Sequence, residues 1–125
     1  MNRGSFIHIF MIAMGGAMGA VLRVYVSQWL NRLLPLVMPM GILMTNLIGC
    51  FLTGVMVSLC DRYDVSLTLK FFIISGGLGA FTTFSTFAFE MMQLVSSGHI
   101  IVSITYVLSS VVGGLLLFWL GTFIF

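Results

Sequence analysis

Charge is what this sequence has least of. Lys, Arg, Asp and Glu make up 6% of its 125 residues, where a soluble domain carries about a quarter. Five cations and three acids, Asp61, Asp64 and Glu90, leave a net charge of +2. The cations are scattered, so no basic cluster is offered to nucleic acid or anionic lipid. No nucleotide-binding motif and no cluster of catalytic metal ligands stands out, which argues against an enzyme. Cysteine is equally sparse. Cys50 and Cys60 stand ten residues apart in one apolar stretch, about 15 Å along a helix and too far to bridge within the chain. They read as small buried apolar side chains, with no second pair at metal-ligand spacing. Of the two prolines, Pro35 falls in a linker and Pro39 near the start of a span, where proline is tolerated.

What is abundant is apolar bulk. Hydrophobic residues make up 60% and mean hydropathy is +1.20, which places the chain in a bilayer. Apolar runs predict four membrane-spanning helices at about residues 6–30, 36–60, 67–97 and 100–125, each long enough for a hydrocarbon core about 30 Å thick. The linkers between them are short enough to force antiparallel neighbours. The expected architecture is therefore one all-α transmembrane domain over residues 1–125, with nothing left outside the membrane for a soluble catalytic domain. Met1-Asn2-Arg3 precedes an apolar run too long for a signal-peptide core, so the first helix is expected to be retained.

Orientation follows Lys and Arg in short loops. With a cytoplasmic N-terminus, Arg3, Arg62 and Lys70 lie inside and Arg32 outside, while Arg23 falls within the first span. A chain with so weak a bias can insert both ways, which permits an antiparallel homodimer. Small residues recur at intervals of four, as Gly15 and Gly19, as Thr45, Gly49 and Thr53, and as Ser109 and Gly113. That spacing lets membrane helices approach closely and implies tight packing rather than a specific function. Ten methionines and most of the twelve phenylalanines read as core or lipid-facing bulk.

The third span is the exception. At its centre runs Gly76-Gly77-Leu78-Gly79-Ala80-Phe81-Thr82-Thr83-Phe84-Ser85-Thr86-Phe87, with helix-weakening glycines followed by alternating hydroxyls and rings. Lipid tolerates broken backbone only where protein buries it or water lines it, so a broken third helix at this depth marks a site. When each span is centred in the bilayer, Asn46, Thr82, Thr83, Ser85 and Ser110 share its middle layer. They must face one another or a hydrated path. Asn46 can donate two hydrogen bonds and accept two, as interhelical glue or as a ligand contact. Tyr106, Ser110 and Gly114 share a helix face. Their hydroxyls form a ladder of donors or bond back to the carbonyl four residues earlier. Phe84 and Phe87 lie three apart with Glu90 three further on. Such a pair packs, or turns its positive ring edges toward an anion. Arg23 anchors the interface or attracts an anion. If the helix breaks at Gly79–Thr82, free carbonyl oxygens remain, and carbonyl rings bind cations. Close helix packing is the other reading of these glycines.

The Gly76–Phe87 run closely resembles the third-helix signature of the Fluc family of small fluoride channels. Thr45-Asn46-Leu47-Ile48-Gly49 is similar to that family's second-helix pattern, and Arg23 in Gly19-Ala20-Val21-Leu22-Arg23 matches its first-helix arginine. The resemblance covers essentially the whole chain. It implies an antiparallel dual-topology homodimer in the bacterial cytoplasmic membrane, and passive export of cytoplasmic fluoride that entered as the neutral acid. Asn46, Thr83, Ser85, Tyr106 and Ser110 would line the anion path with Phe84 and Phe87, and Arg23 would sit in a vestibule. The Gly79 and Thr82 carbonyls would hold a structural sodium ion at the dimer centre.

Three competitors account for parts of the pattern. A small drug/proton antiporter also has four helices, but it needs an embedded carboxylate, conventionally in the first helix, and this first span has none. A fluoride/proton exchanger needs a titratable group, for which Glu90 and His99 are the candidates. A helical assembly subunit accounts for the glycines but not for the clustered hydroxyls and phenylalanines.

Overall fold

In the computed structural model, residues 3–125 are described; Met1 and Asn2, the start of the expected N-terminal lead, lie outside the described residues. Among the described residues every regular element is a helix. Helix α1 spans Arg3–Leu33 and α2 spans Met40–Arg62. The third span is divided into α3, residues 67–81, and α4, Phe84–Ser96, and α5 spans Ile100–Gly121. By length and hydropathy four stretches cross a membrane, with Leu67–Ser96 counted as one.

The turns are built from their own side chains. Residues 34–39 form the first linker, so α2 begins four residues later than its hydropathy suggests, with Pro39 in the N-cap position. Asn31, still in α1, reaches over to accept a hydrogen bond from the Gly41 amide at 2.7 Å, which satisfies one of the free donors of a helix start. Ser66 caps α3 by accepting from the Leu69 amide. After α4, Gly98 turns with φ +79° and the His99 amide closes onto the Leu94 carbonyl at 2.8 Å, a left-handed stop for which glycine is suited.

The helices pair as α1 with α3 and as α2 with α5, the two most extensive contacts in the fold. Both pairs rest on missing side chains. A Cβ at Gly15 would strike the Phe72 carbonyl and one at Gly19 the Gly77 carbonyl, while one at Gly54 would strike the Phe118 carbonyl and one at Gly121 the Phe51 carbonyl. The Gly15 and Gly19 spacing announces its contact; Gly54 and Gly121 stand alone in the sequence and meet only in three dimensions. Where α4 packs against α2 and α5, Ile42, Leu43, Phe87, Leu94 and Tyr106 form the core.

Within α3, residues Phe71–Leu78 wind as a π-helix, with one extra residue per hydrogen-bonded turn. The glycines at 76, 77 and 79 stay helical. The break falls after them, where Thr82 (φ −82°, ψ 155°) and Thr83 (φ −150°, ψ 128°) are extended. Threonine's β-branch favours extended backbone, and each hydroxyl has helix work to do at the break. Thr82 Oγ1 donates back to the Leu78 carbonyl at 3.1 Å, and Thr83 Oγ1 caps α4 by accepting from the Thr86 amide.

Replacing Gly54 with valine would force α2 and α5 apart, an overpacking cost of about 1–3 kcal/mol or more. The expected outcome is a clear fall in the melting temperature of the detergent-solubilised protein. An unchanged melting temperature would show that the two helices do not meet at this glycine.

Candidate mid-membrane anion site

A broken helix in a membrane leaves backbone groups that need partners, and Asn46 supplies two of them. Its Nδ2 donates to the Thr83 carbonyl at 3.1 Å, and its Oδ1 accepts from the Thr83 amide at 2.8 Å. The side-chain amide thus pairs with Thr83 as a neighbouring strand would. One Asn46 N–H and one acceptor lone pair remain, so the glue reading and the ligand reading are compatible in a single residue. Gly49, one turn along α2, leaves room for the Thr82 methyl, which a Cβ there would strike.

Diverting the Thr83 amide has a second effect. In a continuous helix that amide would donate to the carbonyl four residues back, which is Gly79. Here it is committed to Asn46, and the Gly79 carbonyl loses that donor.

Around the break lies a cavity of about 500 Å³ whose lining includes Asn46, Gly79, Thr82, Thr83, Phe84, Phe87 and Ser110. Among the described residues no charged side chain lines it. Ser110 does not bond back to the carbonyl four residues earlier. Its Oγ is buried and, among the described residues, has no hydrogen-bond partner, whereas Thr53 and Thr105 bond back to carbonyls four residues earlier at 2.7 and 2.9 Å. A buried hydroxyl without a partner carries a desolvation cost of about 1–3 kcal/mol, which a bound ligand would relieve.

Phe84 and Phe87 stand with ring centroids 5.6 Å apart, and Phe87 and Tyr106 follow at 5.1 Å, all tilted. Phe84 is 78% exposed while Phe87 is 6% exposed, so one ring of the pair is anchored in the core and the other projects from the chain.

Three expected site residues stand apart from the cavity lining. Tyr106 is fully buried and donates its hydroxyl to Glu90 Oε2 at 2.7 Å. Its ring joins the phenylalanine row, but its hydroxyl is turned toward a separate cavity of about 640 Å³ that Glu90, Gln93 and His99 line near the end of α4. Ser85 is exposed, with its Oγ 3.4 Å from Thr83 Oγ1. Arg23 is half-buried, and its Nε donates to the Ala80 carbonyl at 3.2 Å, at the C-terminal end of α3. Sequence reading missed Cys50, Thr53 and Phe118 as lining residues; their only signal is the helix face they share with Asn46 or Ser110. It also missed the Glu90–Tyr106 bond, which joins residues 16 apart on two helices.

Residues 10–122 match the family described as CrcB-like protein, Camphor Resistance (CrcB). Among similar proteins, one from Leptospira interrogans is 42% identical over 108 residues, covering 86% of this chain and 85% of its own. One from Rhizobium etli is 42% identical over 106 residues, covering 84% and 85%. One from Campylobacter fetus is 38% identical over 121 residues, covering 96% and 94%. Each of the three bears the name fluoride-specific ion channel. A match that runs through all four spans and through the broken third helix makes this chain a member of the CrcB-like family.

Proposed function

We propose that this chain is a passive, fluoride-selective channel of the bacterial cytoplasmic membrane that lets fluoride leave the cell down its electrochemical gradient. The observation that carries the reading is the unpartnered Ser110 hydroxyl in a charge-free cavity beside Asn46 and the Phe84–Phe87 pair. Fluoride is small and holds its water strongly. A path for it must replace water with several donors, none of them a fixed cation that would trap the ion. The spare Asn46 N–H, the Ser110 hydroxyl and the positive ring edges of the phenylalanines have that character. The relatives named as fluoride-specific channels support the same ion.

An antiparallel homodimer completes the reading. Phe84, 78% exposed on a single chain, would be covered by a second copy, and the weak Lys and Arg asymmetry allows both orientations. Ser85, exposed beside Thr83, would then border the path, and Tyr106 would steer the ion between the cavity at the break and the one that Glu90 lines. A sodium ion fits the Gly79 and Thr82 carbonyls, because the donor that would occupy Gly79 is spent on Asn46 and hard cations take oxygen ligands. Bound there, it would offset negative potential where two α3 C-terminal ends meet.

The runner-up readings are coupled exchangers, in fluoride/proton or drug/proton form, with the exchanged proton on Glu90. Liposomes loaded with potassium fluoride and followed with a fluoride electrode separate them. Release that requires a potassium ionophore is the expected outcome, because an uncoupled channel is electrogenic. An exchanger that sends fluoride out and a proton in also moves net charge, so external pH is followed in the same assay. Fluoride release without stoichiometric proton uptake is expected. Coupled proton uptake would overturn passive permeation in favour of fluoride/proton exchange, and no fluoride release with the ionophore present would favour the drug/proton form.

In the same assay, Phe87→Ile or Phe84→Ile is expected to lower flux about tenfold or more, as is Asn46→Asp, which replaces a donor with a charge that repels the anion. Parental flux in a correctly sized variant would take that residue off the path. Exchanging sodium for a bulky organic cation during purification is expected to lower the melting temperature. Identical melting in both media would count against the cation site.

A further inference from the structure

One face of α1 meets the carbonyl row of α3 on three successive turns. Gly15 lies against the Phe72 carbonyl and Gly19 against the Gly77 carbonyl, each so close that a Cβ would collide. Four residues on, Arg23 Nε donates to the Ala80 carbonyl at 3.2 Å. The first two contacts are made by absent side chains and the third by a long one, so Arg23 continues the same ridge where α3 ends. We infer that Arg23 is a positioning residue: it caps the C-terminal end of α3 and holds the Gly79–Thr83 segment in register, rather than serving chiefly as a charge that draws anions into a vestibule.

Charge and geometry agree on this. The last carbonyls of a helix are without amide partners and carry the negative end of its dipole. A guanidinium there is stabilising, and a hydrogen bond to a charged donor is among the stronger kind. Ala80 lies between the Gly79 carbonyl and the Thr82–Thr83 break, which Asn46 holds through α2. The break is therefore clamped at two points, by Arg23 from α1 and by Asn46 from α2. The burden of Arg23 is the placement of groups that face the cavity, and this inference rests on the channel reading of that cavity.

The contact is made through Nε, which is separated from Cα by the same number of bonds as the amide nitrogen of glutamine. Arg23→Gln therefore keeps a donor in place and removes the charge, Arg23→Met removes both, and Arg23→Lys keeps the charge on a nitrogen one bond further out. The full-length variants would be reconstituted and fluoride efflux measured over a range of fluoride concentrations and ionic strengths. Amide hydrogen exchange over residues 78–86 would be followed in parallel. In Arg23→Met, maximal flux is expected to fall about tenfold with the half-saturating concentration within about twofold of the parent, and exchange at the break to speed up. Arg23→Gln is expected to recover most of that flux and protection.

If Arg23→Gln and Arg23→Met instead raise the half-saturating concentration alike, at unchanged maximal flux and only at low salt, the residue attracts anions and the inference fails. Parental behaviour of Arg23→Met would overturn it as well. Should Arg23→Met not yield folded protein, the comparison of Arg23→Gln with Arg23→Lys decides between donor placement and charge. Should the parent protein pass no fluoride, the channel reading fails by itself, while the exchange contrast between Arg23→Gln and Arg23→Met still tests the cap.

Discussion

The paired hydrogen bonds between the Asn46 side chain and the Thr83 backbone are the constraint on which the rest depends. An amide and a carbonyl exposed to hydrocarbon would each cost several kcal/mol, so the third span could not open at its centre without a partner able to donate and accept at once. A carboxamide does both through separate atoms, its nitrogen donating while its oxygen accepts. By taking over the Thr83 amide and carbonyl, Asn46 makes an extended residue tolerable in lipid and releases the Gly79 carbonyl from its helical donor. It also fixes the residue that caps the start of α4, from which Phe84 and Phe87 follow. Architecture and site chemistry thus share one contact.

That contact is reached only because the helices come unusually close. Gly49 leaves room for the Thr82 methyl, and Gly15 and Gly19 bring α1 onto the carbonyls of α3. Membrane helices gain little from hydrophobic association with one another, so van der Waals fit and buried polar contacts carry their packing. In this chain the glycines are the precondition for the polar contacts. Moving α1 outward by a side chain would take Arg23 away from Ala80, and moving α2 outward would take Asn46 away from Thr83.

The four spans, the short linkers and the all-helical class were legible in hydropathy, because a bilayer imposes length and polarity on every crossing segment. That the third span breaks within this run was legible, but the break was expected over Gly79–Thr82; the glycines stay helical, and Thr82 and Thr83 carry the extended backbone. What was hidden is whatever depends on tertiary approach. The π-helical winding of Phe71–Leu78 has no pattern of its own. Gly54 and Gly121 are too far apart in the chain to form a motif, and the Tyr106 hydroxyl could not be seen to turn toward Glu90. Arg23 was placed correctly within the first span, but a side chain that long can reach an interface, an ion or a carbonyl, and only the fold selects the carbonyl.

The division of labour between fixed charge and neutral donors follows from the same arrangement. Arg23 is the permanent charge set deep in α1, and its contact is a helix end, one step outside the cavity lining. The lining itself is neutral: an amide, hydroxyls, carbonyls and rings. In a medium of low dielectric a guanidinium facing a small anion would bind it far more strongly than water does, and conduction requires that an ion leave as readily as it enters. With its Nε on the Ala80 carbonyl, Arg23 keeps its charge beside the α3 terminus, where it softens the field of the helix end. On the proposed channel reading the remaining donors are each weak, so their number and placement would have to supply the selectivity. Placement is what the two clamps on the break control.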